Sequence, residues 1–376
     1  MKVLLITMDF PPFRGGIANY YYNLLANIKD IEFTVLTQPD QSAKGYDQQQ
    51  KFKIMRPDFF YRSVWPRWLK LYFESKKIIK KNKFDLIWVG QVLPVGTVVY
   101  LIHKILKIPY FVSAHGFDIL LPQQSARKKW LMAKILKSAE FVTANSRFTK
   151  NQLIEIGLAE NLIEVIYPGA NISTKNKLSI SSQNLKEKLN LINKKILLTV
   201  GRLVKRKNQT AVVLAVKQLL EKYPTLVYLI VGDGPELNSL KSLVSRENLN
   251  NQVIFLTDID DYDLKGYYQI SDIFIMPAQN LNGDVEGFGL VYLEAAENKV
   301  PVIAGNTGGS NEAVINQQTG LLVDPDNIEE IKQAITLLLD DRQLRDKLVE
   351  QAYLRCQKEF NWEKQADKLK ARIMAN

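Results

Sequence analysis

Ile196-Leu197-Leu198-Thr199-Val200-Gly201-Arg202-Leu203-Val204-Lys205-Arg206-Lys207-Asn208 is a short apolar run, a glycine and then a basic loop. A helical pattern over 208–222 follows at once. An apolar run of that length is strand-sized, so the stretch predicts strand, tight loop, helix. That is the repeating half of a parallel crossover. Working outward, the same unit recurs. Toward the C-terminus, apolar runs at 226–231, 252–256, 273–277, 301–304 and 320–323 alternate with helical patterns at 235–248, 288–298 and 328–339. Toward the N-terminus, runs at 2–8, 32–37, 85–90, 109–114, 141–145 and 163–167 alternate with helical patterns that include 16–29, 94–107 and 126–137. The expected fold class is α/β, with two Rossmann-like, doubly wound parallel sheets facing across a cleft.

A polar patch at 171–187 separates the two series and is expected to be the linker. The expected domains are 1–170, 171–358 and a last helix over 359–376 that packs back on the first domain. The tail from 343 onward is expected to be all helical. A chain of 376 residues is long for one core, which agrees with two domains.

The apolar fraction of 46% and charged fraction of 24% are those of a soluble globular protein. The apolar runs are too short to span a bilayer, and the start lacks the features of a signal peptide. A single cysteine, Cys356, excludes an internal disulfide and a cysteine metal cluster. The expected location is cytoplasmic, with the inner face of a membrane also open. The net charge of +11 is uneven: residues 1–168 hold 24 Lys+Arg against 13 Asp+Glu, and residues 169–376 hold 26 of each. The first half is therefore expected to meet something anionic. Residues 62–83 mix cations with Trp65, Trp68, Tyr72 and Phe73, a pattern that suits an anionic bilayer as well as an ordinary surface helix. No nucleic-acid module is present, and no nucleic-acid partner is expected.

The densest chemistry lies in Glu286-Gly287-Phe288-Gly289-Leu290-Val291-Tyr292-Leu293-Glu294. A helix starting near Phe288 would leave Glu286 in the loop before it and carry Glu294 about two turns inside. The glycines permit close backbone approach, and a helix start offers free N–H groups to an anion. One carboxylate can then hold a sugar hydroxyl and the other a ribose, with a phosphate between them. Gly201, Arg202 and Lys207 follow a strand, and the two cations are candidates to clamp a diphosphate and stabilise it as it leaves. Lys205 and Arg206 are expected on the solvated side of that loop. His115 ends a strand before Gly116, where it can bond a sugar hydroxyl or donate to a developing charge. Gly15-Gly16 opens a helix after the first strand and can face a phosphate or serve as a plain turn. Gly232-Asp233-Gly234 is a sharp strand–helix turn, where Gly232 either helps bind the donor or is a plain turn at the edge of the site. Gly308-Gly309 starts another helix, either bringing N–H groups to the ligand or simply packing. Asp258-Ile259-Asp260 has the spacing of a metal-binding pair but sits before a helix start, where acids favour capping. No metal is expected.

In this order the motifs resemble the retaining nucleotide-sugar glycosyltransferases of family four, which have the GT-B fold. The resemblance spans nearly the whole chain and includes Tyr167-Pro168-Gly169 and Glu312. The stretch from Asp284 to Ala295 is most similar to GDP-mannose-dependent α-mannosyltransferases, such as the phosphatidylinositol mannosyltransferases. The resemblance implies that Arg202 and Lys207 bind the donor diphosphate, Glu294 the ribose, and Glu286 the hydroxyls of the transferred sugar. His115 would contact the sugar near its reacting carbon, and Gly16 the phosphate or acceptor. Phe288, Gly289 and Leu290 would offer backbone groups to the diphosphate and sugar. Asn171 departs from the family's usual aspartate.

The implied function is retaining, metal-independent hexosyl transfer, with mannose moving from GDP-mannose to a lipid-linked or polysaccharide acceptor in cell-surface glycan synthesis. No cofactor beyond the nucleotide-sugar co-substrate is expected. The alternatives are a UDP-sugar-dependent transferase for glucose, galactose or N-acetylglucosamine, a sugar-nucleotide epimerase, and a silent binding protein.

Overall fold

Buried apolar runs at alternating intervals build two parallel sheets. The structure, a computed structural model, describes residues 1–13, 15–170, 181–259 and 261–375. The chain divides into one unit of Met1–Pro168 with Trp362–Asn376 and a second of Gly169–Asn361. The division falls after Pro168 and after Asn361, not after 170 and 358 as the sequence suggested. Ala170 bridges to Asn361 and donates to the Phe360 carbonyl at 2.6 Å, which ties both segments to the second unit.

In the first unit the strands are β1 (Lys2–Ile6), β2 (Glu32–Leu36), β3 (Lys53–Met55), β4 (Leu86–Val89), β5 (Tyr110–Ala114), β6 (Val142–Ala144) and β7 (Ile163–Val165). Their order is β3-β2-β1-β4-β5-β6-β7, with the described pairs parallel. β3 was not foreseen. The helices Leu69–Asn82, Val95–Leu106 and Ala126–Lys137 share one core with Leu4, Ile87 and Val112. Trp362 and Leu369 of the last helix share the opposite core with Tyr20, Trp88 and Phe111. The tail is two helices separated at Phe360–Asn361: Arg342–Glu359 belongs to the second unit, and Trp362–Met374 belongs to the first.

In the second unit β8 (Lys195–Val200), β9 (Leu226–Val231), β10 (Val253–Leu256), β11 (Ile273–Met276), β12 (Val302–Gly305) and β13 (Leu321–Val323) run in the order β10-β9-β8-β11-β12-β13. Part of the expected linker is helical over Ser182–Lys188, where the Ser181 hydroxyl accepts from the Asn184 N–H at 3.2 Å. The remaining linker residues 171–180 lie outside the described residues. So does Asp260 of the Asp258–Asp260 pair, and the helix beyond it starts at Asp261.

Both orders reverse direction once, between β1 and β4 and between β8 and β11. At such a switch the neighbouring loops run to opposite sides and leave a crevice at the carboxyl ends of the strands. Thr7–Asp9 and Gly90–Gln91 flank the first switch; Gly201–Lys207 and Pro277–Glu286 flank the second.

Candidate active site

The loop after β8 is a tight 3-10 turn over Lys205–Lys207, closed by Asn208 in the left-handed region at φ 57°. Its fold is fixed by the neighbouring turn. The Leu203 N–H donates to the Asp233 carbonyl at 2.9 Å, and a Cβ on Gly232 would sit 2.2 Å from the Gly201 carbonyl oxygen. Gly232 and Gly234 are thus required by the close approach of two backbones. The turn buries Lys207, whose Nζ donates to Glu286 Oε2 at 2.7 Å. Arg206 reaches the same oxygen through Nη1 at 2.5 Å, and its Nε lies 3.0 Å from Asp284 Oδ1. Arg206 is therefore not on the solvated side, as expected from sequence, but only 19% exposed and ion-paired twice. Lys205 is exposed as expected.

Burial alone pushes the Glu286 carboxyl up, but Lys207 and Arg206 outweigh it and hold the group down at about 2. Glu286 is an anion at any physiological pH. Burial lowers Lys207, an effect opposed by Glu286. Glu294 also acts on Lys207 electrostatically, so the two carboxylates share one cation's field. Glu294 accepts from the buried Tyr268 hydroxyl at 2.7 Å. Arg202 is exposed, and its guanidinium makes no ion pair among the described residues.

The helix after the second glycine starts at Leu290, not near Phe288. Gly289 caps it at φ 88°, which only glycine adopts without strain, and a Cβ there would lie 2.3 Å from the Tyr292 ring. Glu294 is consequently about one turn inside the helix. Phe288 is buried against Phe360, with ring centroids 5.4 Å apart, so its side chain anchors the loop. A Cβ on Gly309 would lie 2.0 Å from the Gly287 carbonyl oxygen, and the Gly309 N–H donates to the Glu286 backbone carbonyl at 2.8 Å. Of the two readings open for Gly308-Gly309, packing under the Glu286 loop is the one the structure supports.

His115 and Gly16 belong to the first unit. Gly16 opens the helix Gly16–Asn27, and a Cβ on it would meet nothing within 4 Å. The same helix presents Tyr20 and Tyr21 edge-on to the His115 ring. The Tyr21 hydroxyl contacts both the Gly90 carbonyl and His115 Nε2, the latter at 2.6 Å. A carbonyl can only accept, so the hydroxyl hydrogen goes to Gly90 and Nε2 carries a hydrogen of its own. Burial lowers His115 to about 4, so the ring is neutral. Donation from Nε2 to a developing charge, one of the roles expected, is blocked by Tyr21; Nδ1 is left as an acceptor for a hydroxyl.

Beside it at the β1–β4 switch, Gln91 donates to Thr7 Oγ1 at 3.0 Å and Asp9 Oδ2 at 3.1 Å. Burial raises Asp9. Sequence reasoning missed Asp9, Tyr21, Gln91, Arg206, Tyr268 and Asp284. Asp9 alone carried a signal, standing just past the first apolar run; the others are joined only by long-range contacts.

Comparison with known proteins bears on this geometry. Residues 14–174 match the model for Glycosyltransferase Family 4, and residues 181–355 match that for Glycosyl transferases group 1. The GDP-mannose-dependent alpha-(1-6)-phosphatidylinositol monomannoside mannosyltransferase of Mycolicibacterium smegmatis is 28% identical, over 90% of this chain and 89% of its own. The Corynebacterium glutamicum GDP-mannose-dependent enzyme acting on monoacylated phosphatidylinositol monomannoside is also 28% identical, over 98% of this chain and 96% of its own. In fold, the Anabaena protein HepE, solved in complex with UDP and glucose, superposes over 100% of both chains with a TM-score of 0.85 at 21% identity.

Proposed function

As a member of glycosyltransferase family 4, the chain is a hexosyltransferase of the GT-B class, and we propose that it moves mannose from GDP-mannose to a lipid-linked acceptor with retention at the anomeric carbon. The observation that carries this reading is the Lys207–Glu286 pair at the β8–β11 switch, where Glu286 is held ionised beside two cations. In this reading Glu286 accepts hydroxyls of the transferred hexose, and Glu294 the ribose hydroxyls. Arg202 and Lys207 meet the diphosphate. Gly16, Gly201, Gly232, Gly287, Gly289 and Leu290 keep backbone close to the donor. His115 takes a sugar hydroxyl at Nδ1.

The chemistry follows from the charges. Cleaving the bond from the anomeric carbon to the diphosphate oxygen builds negative charge on the leaving group, and fixed cations there lower the barrier. The acceptor hydroxyl attacks from the same face, and its proton passes to the departing phosphate oxygen. No side chain need serve as nucleophile, so positioning supplies most of the rate. The relatives that use GDP-mannose motivate the donor. The HepE complexes motivate the second reading, a UDP-hexose donor, since a protein of the same fold is solved with UDP-glucose.

The test is incubation with a panel of labelled nucleotide-sugars and a lipid extract. Label from GDP-mannose should enter the lipid phase and GDP should be released. Transfer from a UDP-sugar instead would replace the donor assignment. Conversion of a nucleotide-sugar without any acceptor would point to an epimerase.

A further inference from the structure

Glu294 is approached by a helix other than its own. Tyr268 stands in the last turn of the helix Asp261–Ile270, just before β11. Its ring is buried beside Phe274 of β11, with centroids 5.7 Å apart. Phe274 in turn meets the buried Tyr292 ring edge-on at 6.0 Å. This row of buried rings runs from Tyr268 to the helix Leu290–Glu297 and fixes where the Tyr268 oxygen sits. That oxygen donates to Glu294 Oε2 at 2.7 Å. Burial, and after it the Glu294 charge, push the Tyr268 hydroxyl well above the usual tyrosine range, so it keeps its hydrogen and donates.

Glu294 itself is half-buried. A glutamate has several soft torsions, and holding them costs side-chain entropy. A bond from a phenol locked in an aromatic wall holds one carboxylate oxygen and thereby sets the plane in which the other lies. A carboxylate held in one plane suits a vicinal diol, whose two hydroxyls donate side by side. It suits a sugar with one of those hydroxyls missing far less well. A site built around a substrate hydroxyl rejects the analogue that lacks it, because a polar group is then left short of its partner. The stiffer the carboxylate, the less it can turn to recover that loss.

We propose that Tyr268 is a positioning residue that makes Glu294 a ribose selector, so that the chain takes ribonucleoside diphosphate sugars and discriminates against their 2′-deoxyribonucleoside counterparts. The inference rests on the donor reading above, in which Glu294 meets the ribose. It is the same for GDP and UDP, which carry the same ribose. In that reading the ribose is remote from the reacting carbon, so Tyr268 acts on binding and not on the chemical step. Loss of such uniform binding raises KM and leaves kcat alone.

The test is calorimetric titration of GDP and 2′-deoxy-GDP into the wild-type chain and into Tyr268→Phe, with UDP and 2′-deoxy-UDP in a parallel arm. The wild type should favour the ribonucleotide at least about tenfold, the worth of one charge-assisted hydrogen bond. Tyr268→Phe should bring that ratio below about threefold by weakening the ribonucleotide and leaving the deoxynucleotide unchanged. In turnover, its KM for the nucleotide-sugar should rise about tenfold with kcat within about threefold. In a Glu294→Gln background the same substitution should change the ratio no further. Thermal melts report folding alongside, and the wild-type ratio needs no variant, so loss of folding in one cannot shield the proposal. A wild type that binds both sugar forms equally would overturn the inference and leave the donor site standing. Equal weakening of both forms by Tyr268→Phe, the mark of a merely structural hydroxyl, would overturn it too, as would a further loss in the Glu294→Gln background. A wild type that binds none of the four nucleotides would remove the donor reading and this inference with it.

Discussion

Arg206→Ala separates a residue that positions from one that clamps. In the structure Arg206 Nη1 holds Glu286 Oε2 at 2.5 Å and its Nε faces Asp284 Oδ1 at 3.0 Å, with Lys207 holding the same Glu286 oxygen at 2.7 Å. Removing one partner of a buried pair costs about 3–5 kcal/mol when it strands a lone charge. Here Lys207 keeps Glu286 paired, and Asp284 is 41% exposed and regains water. The loss reduces to roughly one charge-assisted hydrogen bond, about 2 kcal/mol. For a unit of this size that lowers Tm by about 4–8 °C. Glu286 would then be held from one side only, and a displacement near 1 Å can cost on the order of 10²-fold in turnover.

The assay measures kcat and KM for GDP-mannose together with Kd for GDP alone. The expected outcome is kcat lowered about 10- to 100-fold with GDP affinity changed by less than about threefold. Arg206→Lys should recover part of kcat, because a cation returns without the fork. Unchanged kcat with unchanged Tm would refute the role assigned to Arg206. An equal loss of GDP affinity would instead make it part of the diphosphate clamp.

Other outcomes follow from the same geometry. Gly289→Ala should destabilise the second unit by about 1–3 kcal/mol and lower turnover, measured by thermal melts and initial rates, because φ is 88° and the added carbon would lie 2.3 Å from Tyr292. Arg202→Ala should weaken GDP binding and cut transfer about 10²-fold while leaving Tm near wild type, since this exposed guanidinium holds no ion pair among the described residues. His115, lowered from 6.5 to about 4 by burial, gives stability that is present above pH 6.5 and is lost as pH falls through 4. His115→Gln should flatten the melting profile in that window, and an unaltered slope would contradict a buried neutral ring.

Most of the fold was legible because buried parallel strands read as continuous apolar runs. β3 was not, since Lys53-Ile54-Met55 is a short edge strand that is nowhere fully buried and needs no such run. The helix start at Leu290 was misplaced because two glycines precede it, and only the backbone reveals that Gly289 takes the left-handed turn. In the site, Lys207 and Glu286 were legible from their places after strands. Arg206 was not, because four cations in one loop carry no periodicity and the 3-10 turn decides which side chains face inward. The Tyr21–His115 and Tyr268–Glu294 contacts span 94 and 26 residues, distances over which a single sequence shows no pairing.

Calorimetric titration of GDP-mannose into the wild-type chain and into Lys207→Ala is the most direct test of the donor site proposed at the β8–β11 switch. Binding to the wild type with one site per chain, weakened at least about tenfold by the variant, is the predicted result. Equal affinity for the two proteins would contradict it.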